Sequence, residues 1–185
     1  QIHIEKIEFK DLETIYFKNH LNKAKDASSS KKESKLLSSI KIDKLNIENA
    51  SAIVYDGTKD SILVSLKNTT ISIKDIVLDE SSKSNLIPFN YKTINIAADS
   101  IFYKTSNYEN INLNHLLFED QTLTLHGFHY KNKYSKKEYE SLLTIQRDYY
   151  DVTAEKLIIN ELALGKENDS VVFKTNLISI DKANA

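Results

Sequence analysis

The chain has 185 residues, 41% of them hydrophobic and 28% charged, a length and balance suited to one globular domain with a sizeable core. Its formal net charge of -1 argues against duplex nucleic acid as a partner, and the lack of cysteine excludes a disulfide framework and any thiolate metal site. With 3 Gly and 1 Pro, turns must be built from Asn, Asp, Ser and Lys, and no apolar run approaches the roughly 20 residues that span a bilayer.

Ile2, Ile4, Ile7 and Phe9 open the chain with apolar residues at positions one, three, six and eight of an octet. Lys10 to Lys25 can be read as a helix, although Ile15-Tyr16-Phe17 fits a strand equally well. Residues 22 to 35 lack apolar periodicity and read as a mobile, solvated loop. The octet then returns at Ile40, Ile42, Leu45 and Ile47, at Ile71, Ile73, Ile76 and Leu78, at Phe89, Tyr91, Ile94 and Ile96, and at Ile111, Leu113, Leu116 and Phe118. Val152, Ala154, Leu157 and Ile159 form a weaker copy, and Phe173, Thr175, Ile178 and Ile180 a degraded one. Roughly one clear match is expected by chance, so the repeat is a signal of architecture.

Steps of two keep side chains on one face of a strand, and the central step of three would flip the second pair. A β-bulge that absorbs one residue restores the phase, so each copy reads as one long strand bulged at its centre; two short strands meeting at a corner are the alternative. Ala52 to Tyr55, Ser100 to Tyr103, Leu162 to Leu164, Ile62 to Leu66 and Leu123 to Leu125 are expected to pair back antiparallel, given their β-branched and aromatic content. The fold expected is mainly β: a long, twisted antiparallel sheet of repeated bulged strands, either an open groove or a flattened sandwich, in a single domain over 1–185. One short helix is expected over 135–144, where Ser135 and Glu138 have capping-box spacing and Tyr139, Leu142 and Leu143 share a face. The Gln1 start and the close at Ile178–Ala185, which looks like the opening of another unit, suggest part of a longer protein.

No catalytic constellation, cofactor motif or metal site stands out. His126 and His129 form an H-x-x-H with His115 nearby, but on a regular strand a three-residue step sends the two rings to opposite faces. Asp148 with Asp151, and Glu138 with Glu140, are carboxylate pairs with nothing to place them around a common point, and there is no phosphate loop or nucleophile elbow. Asn49, Asn68 and Asn168 sit in glycosylation triplets. Two candidate surfaces remain. Ile42, Leu45, Ile47, Ile73, Ile76, Ile94, Ile96, Leu113 and Leu116 are the lipid- or partner-facing candidates, and Tyr130, Tyr134, Tyr149 and Tyr150 the aromatic ones, suited to a glycan or protein.

The succession Lys-Leu-x-Ile-x-x-Ala-x-Ala at Lys44 to Ala52, echoed at Lys156 to Leu164 and Leu177 to Ala185, resembles AsmA-like and TamB-like proteins of Gram-negative envelopes, with a Lys-, Asn- and Ile-rich flavour like that of versions from Bacteroidetes. The resemblance implies strands laid side by side into an open β-groove that conducts lipid, behind an inner-membrane anchor in the full-length protein, in the periplasm. It implies a non-enzymatic lipid- or membrane-protein-binding domain with no nucleic-acid partner. The anchor is absent from this sequence, and the Tyr-rich segment 130–150 departs from the general pattern. The alternative is a β-sandwich binding module for glycan or protein using that segment.

Overall fold

The structure, a computed structural model, describes residues 2–18, 39–57, 60–167 and 170–185. The loop expected at 22–35 lies outside the described residues. The strands are β1 (Ile2–Lys10), β2 (Glu13–Lys18), β3 (Ile40–Asp56), β4 (Ile62–Leu78), β5 (Thr93–Lys104), β6 (Glu109–Glu119), β7 (Thr122–Asn132), β8 (Asp151–Asn160), β9 (Ala163–Glu167), β10 (Ser170–Lys174) and β11 (Leu177–Asp181), with one α-helix, α1 (Lys136–Leu142). One large sheet runs in the order β1-β3-β4-β5-β6-β7-β8-β11, with β2 also on β3, and β9 and β10 form a separate two-stranded sheet.

The pairs from β3 to β8 and on to β11 are antiparallel, as the alternation predicts, but β1 and β2 run parallel to β3, so the sheet is mixed. Ile15-Tyr16-Phe17 is strand, not helix. Two octets are broken by the fold. β5 begins only at Thr93, so Phe89 and Tyr91 lie before it, where Asn90 alone bridges to Val77. Phe173 lies in β10 and Ile178 in β11, on different sheets. Ile62 to Leu66 pairs back antiparallel on Ala52 to Tyr55, and Leu123 to Leu125 on β6, as expected, while Ala52 to Tyr55 and Ser100 to Tyr103 continue β3 and β5 as single long strands. The large sheet is not closed into a barrel.

On several strands a single residue with positive φ stands in a step of three between inward-facing residues; among the octets this is so for Ile71 to Leu78, at Asp75. Asn49 (φ 53) precedes Ala50 and Ala52, Asn68 (φ 48) precedes Thr69 and Ile71, Asp75 (φ 53) precedes Ile76 and Leu78, and Ser100 (φ 51) precedes Ile101 and Tyr103. Gly127 (φ 62) stands likewise before Phe128 and Tyr130, and Lys182 (φ 49) before Ala183 and Ala185. A left-handed residue reverses the pleat, so a step of three keeps both pairs on one face. Ala98 with Ile101, and Leu125 with Phe128, accordingly join one apolar cluster with Leu113 and Leu116. At Asp11 (φ 53), between β1 and β2, and at Glu161 (φ 53), between β8 and β9, the same device ends the strand, so both the bent strand and the corner occur.

The expected one-sided bulge is largely replaced by a shared crease. Asp99 pairs with His115 and Ile101 with Leu113, so β5 and β6 skip Ser100 and Asn114 together and resume in register. β7 and β8 do the same at Gly127 and Glu155, and β1 and β2 keep one register on β3 across Asp11. Local register shifts remain where β4 meets β3 and β5. Polar side chains populate this line: Asn49 Nδ2 donates to Asp11 Oδ1 at 2.5 Å, His115 Nδ1 lies 2.7 Å from Asp99 Oδ1, and Lys182 is ion-paired with Glu155.

Among the described residues seven apolar ones are buried, Ile73, Ile76, Ala98, Ile101, Leu113, Tyr139 and Ala154, against twenty-one large apolar residues that are exposed. That ratio is the result of a single layer: each strand has one apolar face and little stands opposite it. α1 begins with the expected capping box, Ser135 N–H donating to Glu138 Oε2 at 3.0 Å and Glu138 N–H to Ser135 Oγ at 3.4 Å. Its Tyr139 is 1% exposed and donates from its hydroxyl to Glu109 Oε1 at 3.2 Å, closing one end of β6 and β7. Leu142, expected on the same packed face, is 46% exposed because the helix ends there and the sheet offers nothing beneath it.

Candidate functional site

An open groove of about 1010 Å³ lies at the end of the sheet where the β6–β7 hairpin turns. This is at the upper limit of the roughly 300–1,000 Å³ of small-molecule sites. Its floor consists of Ile94 and Ile96 of β5, Leu116 and Phe118 of β6, and Leu123 of β7. The first four are octet positions, brought beside one another and Leu123 because Ile96 pairs with Phe118 and Phe118 with Leu123.

One wall is the segment before β5, with Leu86, Ile87, Phe89 and Tyr91; Phe89 and Tyr91 stack edge to face at 6.1 Å. The other is the start of the β9–β10 hairpin, with Leu162, Leu164 and Gly165. Leu162 is tied there because its N–H donates to the carbonyl of Gln121 at 2.8 Å, and Glu161 just before it turns the chain off the main sheet. Lys92 and Asp120 supply charge at the lining. A Cβ built on Gly165 would meet nothing within 4 Å, so this wall has free space in front of it.

Of the nine apolar candidates, the structure brings Ile94, Ile96 and Leu116 into the groove. Leu113 is buried in the cluster centred on Ile101, Ile73 and Ile76 are 5% and 2% exposed, and Ile42, Leu45 and Ile47 are half-buried on β3, away from the groove. The walls were not picked out by the sequence reading, because neither Leu86-Ile87 nor Leu162-x-Leu164 belongs to the floor strands. The four tyrosines gather at the opposite end of β7. Tyr130 and Tyr150 pack at 5.6 Å, Tyr134 meets Tyr108 at 6.5 Å, and Tyr149 donates to the carbonyl of Tyr134 at 3.2 Å. Tyr149 and Tyr150 are 37% and 41% exposed.

The histidine geometry differs from expectation. Because Gly127 reverses the pleat between them, His126 and His129 share the face away from the apolar cluster, yet they do not converge: His126 packs on His115 at 6.2 Å, and His129 Nε2 lies 2.6 Å from Asp151 Oδ1. No group of three or more His, Cys, Asp or Glu that could hold a metal occurs among the described residues. Three of the four nominated carboxylates are engaged separately, Asp151 by His129, Asp148 by the Tyr150 hydroxyl at 3.2 Å, and Glu138 in the helix cap. Asn49 and Asn68 are crease residues, and Asn168 lies outside the described residues.

Several carboxyls are held below their usual range by local donors: Asp99 by His115 and then Asn68, Asp43 by Lys41 and then His3, Glu155 by Lys182, and Glu138 by Ser135. A carboxyl whose folded pKa is depressed stabilises the fold above its unfolded value and loses that contribution as pH falls through the folded one. Thermal melts are therefore expected to stay level with respect to these groups down to about pH 4.5, the ordinary Glu value, and to drop below it. Asp99→Asn should make the acid limb shallower; an unchanged limb would show that the crease pairs do not contribute. At the other extreme, burial raises Tyr139, so its contribution is lost as pH rises above 10.0.

Fold and site thus define an open, creased single-layer β-sheet with an apolar groove at one end. No family model matches the chain, and comparison with curated proteins and with solved structures returned no match.

Proposed function

We propose that this domain binds lipid acyl chains or extended hydrophobic segments in the groove and catalyses no reaction. The observation that supports this reading is an apolar floor of five side chains flanked by Leu86, Ile87, Phe89 and Tyr91 on one side and Leu162 and Leu164 on the other. Such a surface is costly in water unless it has an occupant. The sequence likeness to AsmA-like and TamB-like proteins favours the same reading, with the domain held in the periplasm behind an inner-membrane anchor of the full-length protein.

Native mass spectrometry and lipid extraction of protein purified from bacterial membranes are expected to recover an acyl-containing ligand. Gly165→Trp fills the free space at the wall and should weaken binding of a fluorescent fatty acid about tenfold with little change in stability. If no acyl ligand is recovered and Gly165→Trp binds like the wild type, the groove reading fails. If Tyr149→Ala or Tyr150→Ala instead abolishes binding to a glycan array, the aromatic end is the functional surface.

A further inference from the structure

The segment that joins β7 to β8 takes no part in the groove, which lies at the other end of β7. From Lys131 to Arg147 it carries five cations, Lys131, Lys133, Lys136, Lys137 and Arg147, against two carboxylates, Glu138 and Glu140, in a chain whose net charge is -1. Among the described residues none of the five has a carboxylate within ion-pair distance. Lys133 and Arg147 lie instead over the rings of Tyr134 and Tyr108, at 5.5 and 5.8 Å. The next two carboxylates along the chain are already engaged, Asp148 by the Tyr150 hydroxyl and Asp151 by His129.

Leu142 and Ile145 stand in the same segment at 46% and 65% exposure, and among the large apolar residues described only Phe173 is more exposed than Ile145. Their base is packed: the buried ring of Tyr139 meets Tyr108 and Tyr149 edge to face at 5.5 and 5.8 Å, and its hydroxyl donates to Glu109. Tyrosine itself is segregated along the sheet. Of the ten tyrosines only Tyr91 lies at the groove end; the other nine are on α1 or within two residues of a strand end on the side of the sheet that carries α1.

Tyrosine rings favour the boundary between hydrocarbon and water, and lysine stems can lie along apolar surface while their charge stays in the headgroup layer. Lysine is depleted at protein–protein interfaces, whereas unpaired lysines beside exposed Leu and Ile match a negatively charged lipid surface. We propose that the segment from Lys131 to Tyr150 docks on an anionic lipid bilayer. Leu142 and Ile145 enter the boundary between headgroups and acyl chains, and the five cations meet lipid phosphates. This docking is independent of what the groove binds.

The chain has no tryptophan, so Ile145→Trp makes a single-site reporter. With vesicles of phosphatidylglycerol and phosphatidylcholine its emission is expected to shift to the blue and to be quenched by lipids brominated on the acyl chains. Leu117→Trp, exposed on β6, should show neither change. The wild-type protein should float with these vesicles, less so as salt is raised, and hardly at all with phosphatidylcholine alone. Ile145→Asp, and separately the double variant Lys136→Glu with Lys137→Glu, should weaken vesicle binding about tenfold without moving the melting curve. Glutamate in the first turn suits the dipole of α1, so the double variant keeps its fold. The proposal is overturned if the wild-type protein fails to float with the anionic vesicles or floats equally with phosphatidylcholine alone. It is overturned equally if Ile145→Asp binds like the wild type, or if Phe173→Trp is quenched by the brominated lipids and Ile145→Trp is not.

Discussion

Deleting Ser100 is expected to unfold the domain, whereas Ser100→Gly is expected to stabilise it by about 0.5–1 kcal/mol. Both follow from the pleat reversal at this position, where φ is 51. With Ser100 present, Ala98 and Ile101, three residues apart, are both buried, at 3% and 9% exposure. Removing it leaves Ala98 and Ile101 two apart and still on one face, but sets Ile101 opposite Asn114 and Phe102 opposite Leu113, one residue out of register with β6. The displaced register disrupts the packing of Ile101 on Leu113, where loss of one buried Ile costs about 2–5 kcal/mol, and the mismatch along the rest of β5 adds to it, against a total stability of about 5–15 kcal/mol. Glycine, by contrast, enters the left-handed region without the about 1–2 kcal/mol that a side chain pays there, less the extra freedom it gives the unfolded chain. Denaturant titration of both variants decides the matter. A deletion that melts like the wild type would mean that the crease shared with β6 does not hold β5 in register.

Gly127→Ala is expected to lose about 2–3 kcal/mol, from two separable causes. The backbone there has φ 62, and an added Cβ would lie 2.2 Å from Asn114 Nδ2, 2.6 Å from its Cγ and 3.0 Å from its Cβ. Asn114 occupies the space because β6 and β7 skip this level together, leaving Asn114 across from Gly127 without a ladder pair. Combining Gly127→Ala with Asn114→Ala removes the two closest atoms and should recover about 1 kcal/mol, leaving the conformational cost in place. Strict additivity of the two substitutions would show that the crowding is relieved by rotation of the Asn114 side chain and that backbone conformation carries the whole effect.

The groove was partly legible from the chain alone. Ile94, Ile96 and Leu116 belong to the repeated octet, and alternation put them on an apolar face. Their convergence with Phe118 and Leu123 depends on the register of β5, β6 and β7, and the walls come from segments 85–92 and 162–165, outside those strands. Ile42, Leu45 and Ile47 carry the same pattern without lining the groove, since a pattern fixes the face of a strand and not its neighbours. The histidines show the opposite limit: a regular strand would separate His126 from His129, and the left-handed Gly127 puts them on one face.

Local chemistry determined what each segment of this protein is. Alternating Ile, Leu and Phe specify strands, the step of three requires a pleat reversal, and Ser135 with Glu138 starts the one helix. Those signals act within a few residues and need no distant partner. Tertiary structure alone decided that the reversals line up into a crease across the sheet, that β1 and β2 join β3 in parallel, and that the apolar face stays open. Those outcomes depend on backbone hydrogen bonds between residues far apart in the chain, whose choice of partner is set by the register of whole strands and not by any one of them.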